Sequence, residues 1–460
     1  MKRIAVNFRS LSIISLAFLL LGIGLSTQAM ARQGTEEEIL DIQSAGALGF
    51  SPDGILFVGD WIGGAVFAFD VGEEEVSEAV DTAPADDANS DTASADDATS
   101  DTAPADDAVV GTTPIDNIDI AVANVLGVNA AEVTINDMMV HPQTQEVYLS
   151  VTRGHGFNGK PAIVTVDQQG NIENLRLDEL SFSKQALNDV PDMDTQFQPR
   201  GMMVPPTKKD LIKAEASVRT LAIMDIDYYK GELFVAGVSN EEFSSTLRRI
   251  PYPFTGEYSA SKIGIYHKNH LNFETRAPIR AQVVTEIQGE DYLVASYTCS
   301  PLVLFPLADL EDGATVSGKT VAEMGTGQPI DMFSFSSEDG KPFIMVTNAA
   351  FTTMKISLDE AVAAEEITWE NSQLGERQGV GGTDFPTVGT VLHMDKFNDN
   401  NYAAIVRDPY TGALNLENHG GFGGGFQLHY LMAEFDFPGA EWPPMTLMNR
   451  MQELMERSQQ

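Results

Sequence analysis

Four aspartates hold the same place in a recurring pattern. Asp137, Asp225, Asp331 and Asp395 each mark the start of the first strand of a strand–turn–strand unit. If those units share an axis, the four carboxylates meet there. Like charges at close range repel unless a cation or a bound arginine neutralises them. Oxygen donors suit a hard ion such as Ca2+, so an axial calcium-type site is one expectation. The other is local: an Asp at a turn accepts backbone N–H bonds from its own neighbourhood and needs no ion.

Other residue sets are read against plainer roles. His267 and His270 have the i, i+3 spacing that serves a metal on a helix, but Ile263 to Tyr266 before them and Leu271 to Phe273 after them read as strand and loop. No Cys or clustered carboxylate completes a tetrahedral set, so they read as surface or turn histidines. His155, in Arg153-Gly154-His155-Gly156, follows a strand end and would be an exposed general base. Nothing beside it in the chain supplies a partner, which favours a plain turn. Cys299 is the sole cysteine and makes no internal disulfide. It reads as a small buried hydrophobe in a strand running from Tyr297 to Val303, with a reactive thiol as the alternative. The glycine-rich run from His419 to Phe426 lacks the Lys-Ser/Thr and strand-to-helix context of a phosphate loop. There is no Gly-x-Ser-x-Gly elbow and no Cys-x-x-Cys-His haem motif. No reaction-specific motif stands out; the cofactor stays unknown, with Ca2+ the one ion the acids suggest.

Lys2, Arg3 and Arg9 precede an uncharged apolar run from Leu11 to Leu25, and Ala29-Met30-Ala31 offers a small-x-small cleavage pattern. That is a secretory signal peptide over 1–31, and the run is short for a membrane anchor. No Cys follows it, which excludes a lipoprotein. The formal charge of −39 becomes −42 once those three cations leave. Such a field repels nucleic acid and anionic lipid and favours cations or basic partners. The expected location is periplasmic or extracellular, with no stable membrane insertion after cleavage. Without a disulfide, the exported fold must stand on its core, and 43% apolar residues supply one.

The elements that position these residues are short strands. Ser51-Pro52-Asp53-Gly54 turns into Ile55 to Val58, glycines break the run, and Ala65 to Asp70 follows. The same grammar recurs from Asp137, Asp225, Val283, Asp331 and Leu392. Each unit is a small meander that cannot cover its own apolar faces; stacking around an axis covers them and protects the edges. A sandwich would space its strands more evenly. The expected fold is all-β: a single propeller of six or seven four-stranded blades over 32–442. Residues 81–110 repeat an Asp/Ala/Thr decapeptide and read as a disordered acidic insertion whose paired carboxylates would bind Ca2+ weakly at best. Residues 173–220 read as an inter-blade excursion. Residues 443–460 place Met448, Met451 and Met455 at helical spacing, so a C-terminal amphipathic helix is expected, docked on its own domain or on a partner.

The segment SPDGILFVGDWIGGAVFAFDV, residues 51–71, resembles a blade of the propeller superfamily that includes lactonase-like, NHL-like and quinoprotein amine dehydrogenase β-chain-like proteins. The resemblance implies fold rather than activity. Two functions fit it. One is a non-catalytic binding or scaffold module that takes a partner protein or small ligand and holds a structural divalent cation in its channel. The other is a lactonase-like or quinoprotein-like enzyme that uses a channel cation to polarise a carbonyl and activate water. An enzyme of that type needs a mixed Glu/Asp/Asn/His donor set on the axis. A recurrent position that supplies mainly Asp favours the binding module.

Overall fold

The structure, a computed structural model, describes residues 39–72, 111–196, 217–325, 328–349, 353–373, 375, 377–385 and 390–420. The segment read as a signal peptide (1–31), the decapeptide repeat (81–110), residues 197–216 and the segment expected to form a C-terminal helix (443–460) lie outside the described residues. The architecture that follows belongs to the unit Asp41–Gln460.

Among the described residues, strands gather into six sheets, antiparallel except where Thr315–Ser317 pairs parallel with Ser259–His267. Blade 1 comprises Leu48–Phe50, Ile55–Asp60, Ala65–Asp70 and Phe182–Ala186. Blade 2 comprises Val133–Val140, Val147–Arg153, Lys160–Val166 and Ile172–Leu175. Blade 3 runs from Asp225–Tyr229 through Glu232–Val238 and Ser245–Pro251 to Ser259–His267, with Asn272–Glu274 at its edge. Blade 4 runs from Ile279–Ile287 through Glu290–Tyr297 and Pro301–Pro306 to Lys319–Met324. Blade 5 comprises Pro329–Ser336, Pro342–Asn348, Thr353–Ser357 and Thr383–Phe385. Blade 6 comprises Thr390–Lys396, Asn401–Arg407 and Leu414–Gly420.

The first strand of each blade packs against the first strands of two others, and the six close a ring in the order 1, 3, 4, 5, 6, 2 and back to 1. The fold is therefore a six-bladed β-propeller. Apolar clusters fill its seams. Phe57, Ile226, Leu233 and Val235 join blades 1 and 3; Ile265, Leu293 and Val303 join 3 and 4; Val294, Met332 and Ile344 join 4 and 5. Phe333, Met345, Met394 and Tyr402 join 5 and 6. Each sheet is apolar on both faces, and only a neighbour on either side covers it.

The ring order departs from chain order at one point. After three strands of blade 1 the chain crosses to build blade 2 on the far side, then returns with Phe182–Ala186 as the outer strand of blade 1. The excursion expected over 173–220 is corrected accordingly. Most of Ile172–Leu175 and all of Phe182–Ala186 fall within it, yet they are blade strands. Their polar sequences suit an outer edge, where one face meets water.

The seam between blades 6 and 2 is closed by residues 111–126. Ile115 and Leu416 exchange backbone hydrogen bonds at 2.9 Å, so this segment borders the three-stranded blade 6. Thr113 N donates to Gln168 O of blade 2 at 3.0 Å. The helix Ile118–Leu126 then lays Ile118, Val122 and Leu126 on a core shared by both blades.

The strand expected across Tyr297 to Val303 is also corrected. The chain turns at Thr298–Ser300 between two antiparallel strands. Pro301 begins the second, a position where a missing N–H costs no ladder bond. No helix among the described residues is long and apolar enough to cross a membrane.

Candidate functional site

The inner strands bring Asp137, Asp225, Asp331 and Asp395 to the axis. Both sequence expectations meet here, because the acids converge and are also held by backbone. One oxygen of each accepts the N–H of the next residue: Met138, Ile226, Met332 and Lys396, each at 2.8 Å. The other oxygen reaches a neighbouring blade. Asp137 accepts from Leu48 N at 2.7 Å, Asp225 from Gln282 N at 2.6 Å, Asp331 from Met394 N at 2.8 Å and Asp395 from Val140 N at 2.8 Å. The capping is thus not a closed local turn. It staples one inner strand to the next.

Two residues that sequence reasoning passed over join them. Asp227 stands two residues beyond Asp225 and accepts from Val284 N of blade 4. His393 stands two residues before Asp395, is buried, and places Nδ1 3.6 Å from Asp137 Oδ1. The signal was available: side chains two apart on a strand share a face, so Asp225 implies Asp227 and Asp395 implies His393.

The staples surround a cavity of about 490 Å3. Its wall includes the five acids together with Phe50, Met139, Tyr228 and Phe397. A second space of about 40 Å3, lined by Asn136, Arg280 and His393, lies on the other side. Asp137, Asp225 and Asp331 line both, so they form the partition across the channel. Donor atoms of Asp137, Asp331 and His393 lie within 4.8 Å of one another. Asp225 and Asp395 line the same channel but stand outside that triplet.

Each acid is half-buried and lines the channel. Burial, with the charge of Asp137 added, pushes Asp225 well above the usual carboxylate range, and Asp331 likewise. Burial raises Asp227 to about 7 against the pull of its N–H bonds from Val284 and Tyr228. Burial raises Asp395 to about 6, opposed by Val140 N–H, Lys396 N–H and the Lys396 charge. These groups resist carrying several negative charges together. A cation among them would remove the resistance. The donor set, two carboxylates and an imidazole with more carboxylates beyond, fits a divalent ion.

The other sequence candidates fall elsewhere. His155 stands exposed in the loop after Val147–Arg153 and lines neither axial space. His419 stacks on Tyr402 with ring centres 5.0 Å apart, and the glycine run after Gly420 lies outside the described residues. Cys299 is neither fully buried nor in a strand; it sits half-covered in the turn between two strands of blade 4. The expectation that nothing completes a set with His267 and His270 is overturned. Antiparallel pairing of Asn272–Glu274 with Ser259–His267 inside blade 3 brings Glu274 to both rings, and the packing of a blade 4 turn beside them brings Cys299. His267 is fully buried rather than on the surface. Burial would lower its basicity, but Cys299, Glu274 and the charge of Glu323 raise it to about 9. The imidazole beside Cys299 in turn lowers the thiol.

No protein-family profile matches the chain, and no curated protein sequence matches it. A chain from a structure of the mitotic checkpoint complex aligns over 89% of this chain and 98% of its own, at 11% identity and a TM-score of 0.30. A chain described as a candidate 6-phosphogluconolactonase from Bacteroides uniformis aligns over 60% of this chain and 68% of its own, at 11% identity and a TM-score of 0.27. Likeness at this level speaks to no activity. The propeller assignment rests on the six sheets and the ring they close.

Proposed function

We propose that the chain is an exported binding module whose axial funnel holds a divalent cation and seats a small ligand or a segment of a partner protein against it. One observation carries this reading: ligand atoms of Asp137, Asp331 and His393 within 4.8 Å of one another, where an acid-walled cavity meets the smaller space that His393 lines. The volume of about 490 Å3 falls in the range of small-molecule sites. The basic and apolar start of the chain, with Ala29-Met30-Ala31, supports export into an environment where Ca2+ is available.

The test is calcium binding by metal-stripped, full-length protein. A ligand that binds only the folded state at a hundredfold excess over Kd adds about 2.7 kcal/mol, so added Ca2+ should raise Tm measurably. Asp331→Asn and His393→Gln should each abolish the rise. No bound divalent ion and no thermal response in the wild type would reject the site.

His393 favours a second reading. It turns an all-Asp ring into the mixed donor set that a lactonase-like metal hydrolase needs. Ca2+-dependent turnover of lactones or esters, lost in a folded Asp331→Ala variant, would replace the binding module with the enzyme.

A further inference from the structure

A second cluster, apart from the axis, is built from blades 3 and 4. His267 ends the strand Ser259–His267, and His270 closes the single 3-10 turn Lys268–His270. Glu274 ends Asn272–Glu274, and Cys299 lies in the turn between Glu290–Tyr297 and Pro301–Pro306. One ligand atom each from His267, His270 and Cys299 lies within 4.8 Å of the other two.

His267 is 0% exposed, and neither of its ring nitrogens completes a hydrogen bond. Its Nδ1 is 3.3 Å from Glu274 Oε1, within ion-pair range but out of line for a hydrogen bond. Buried polar groups are nearly always satisfied, so a buried ring facing a thiol and a second imidazole points to a ligand. Glu274 also engages His270, with Nδ1 to Oε1 at 2.5 Å. One carboxylate therefore faces the Nδ1 atoms of both rings. That arrangement orients both rings, as carboxylate–histidine pairs do at zinc sites, while His267 Nε2 lies 3.9 Å from the buried Glu323 Oε2 without a hydrogen bond to it.

We propose that His267 and His270, through Nε2, and Cys299, through Sγ, bind one zinc-class divalent ion, with water in the fourth position. Two imidazoles and a thiolate form a borderline-soft set that prefers zinc or cobalt to Ca2+. Bonds of about 2.0–2.3 Å in tetrahedral geometry place donors roughly 3.3–3.8 Å apart, so side-chain adjustment of about an ångström closes the site. The thiol proton, and any proton carried on an imidazole Nε2, pass to solvent as the metal–sulfur and metal–nitrogen bonds form. Glu323 fixes the frame from behind: it accepts from Lys268 N at 2.8 Å and from Ser300 Oγ at 2.5 Å, tying the histidine turn to the cysteine turn. His270, with 43% of its side chain exposed, gives the ion a route in from solvent.

The experiment uses full-length protein, reduced, stripped of metal and titrated with Co2+. A thiolate-to-cobalt charge-transfer band and tetrahedral d–d absorption should saturate at one ion per chain and vanish on adding zinc. Cys299→Ser should lose the charge-transfer band while its circular dichroism stays unchanged. His270→Gln, on the exposed side of the cluster, should weaken Co2+ binding at least tenfold. Glu274→Gln, which alters only the support of the rings, should weaken it about 10–100-fold. Asp331→Asn should leave the band unaltered, separating this site from the axial one. No charge-transfer band in the wild type, or unchanged affinity in His270→Gln, would overturn the proposal.

Discussion

Arg248→Met is expected to destabilise the propeller by about 3–5 kcal/mol, the usual cost of breaking a buried ion pair by deleting one partner. Arg248 is fully buried in blade 3. Its Nε donates to Asp189 Oδ1 at 2.8 Å and Oδ2 at 2.9 Å, Nη1 to Ala222 O at 2.9 Å, and Nη2 to Val238 O at 3.0 Å. Methionine fills much of the volume but leaves two carbonyls without these donors, and Asp189 with Tyr258 Oη at 3.0 Å. Each buried orphan costs about 1–3 kcal/mol, which places the total toward the upper end of the range. The site cannot relax cheaply. A Cβ on Gly237 would lie 2.1 Å from Ala222 O, so the two backbones already touch. The assay is denaturant unfolding of wild type, Arg248→Met, Asp189→Ala and the double variant. Each single change leaves the other partner stranded, so the double variant should cost less than the sum by more than about 1 kcal/mol. A loss below about 1 kcal/mol for Arg248→Met, or strict additivity, would refute the claim that this pair locks Asp189 and the chain around it onto blade 3.

Asp227, raised to about 7 from a usual 3.8, makes the folded state bind more protons than the unfolded one. Its contribution to stability is therefore full below about pH 4 and is lost as pH rises through 7. In metal-free buffer, Asp227→Asn should flatten the decline in stability between pH 5 and about pH 8, as read from urea midpoints; an unchanged slope would show that Asp227 is not the group responsible. At the seam, Leu416→Ala removes a fully buried side chain from the core shared by blades 2 and 6. It should cost about 2–5 kcal/mol in the same assay, and hydrogen exchange should show the Ile115 amide less protected; unchanged protection would mean that this segment does not close the ring.

The blades were legible because their signals are local. Period-2 apolar runs and turns such as Ser51-Pro52-Asp53-Gly54 need no knowledge of distant residues, and the aspartates at the strand starts could be aligned by eye. Ring order was not legible. It depends on the chain passing over from Asp70 to Val133 before returning with Phe182–Ala186, and no run of residues encodes that crossing. The polar outer strands Ile172–Leu175 and Phe182–Ala186 were hidden for the same reason: an edge strand with one wet face resembles a loop in its composition. The cluster at Cys299 was missed because its members lie on two blades. His267 and Cys299 become neighbours only when the end of blade 3 packs beside a turn of blade 4. His393, by contrast, was missed through a rule left unapplied, since its face is dictated by Asp395 two positions later.

The aspartate staples run in one sense around the ring: blade 2 to 1, 3 to 4, 5 to 6, and 6 to 2. The two seams outside this set have a packing reason. Between blades 1 and 3, a Cβ on Gly49 would lie 3.0 Å from Ile226 Cγ2, so the inner strands are too close for a carboxylate between them. Between blades 4 and 5, Ala281, Val283 and Met332 belong to one buried apolar cluster in which a charge would be stranded. Stapling and ion binding do not compete for the remaining acids. A carboxylate has about four lone-pair sites, and each staple uses two of them. The backbone bonds hold the oxygens in place on residues that line the channel. A building role for the four aspartates therefore prepares an ion site rather than excluding one, and His393 distinguishes the floor from a purely structural ring, because its Nδ1 meets Asp137 Oδ1 at 3.6 Å, in ion-pair rather than hydrogen-bond range.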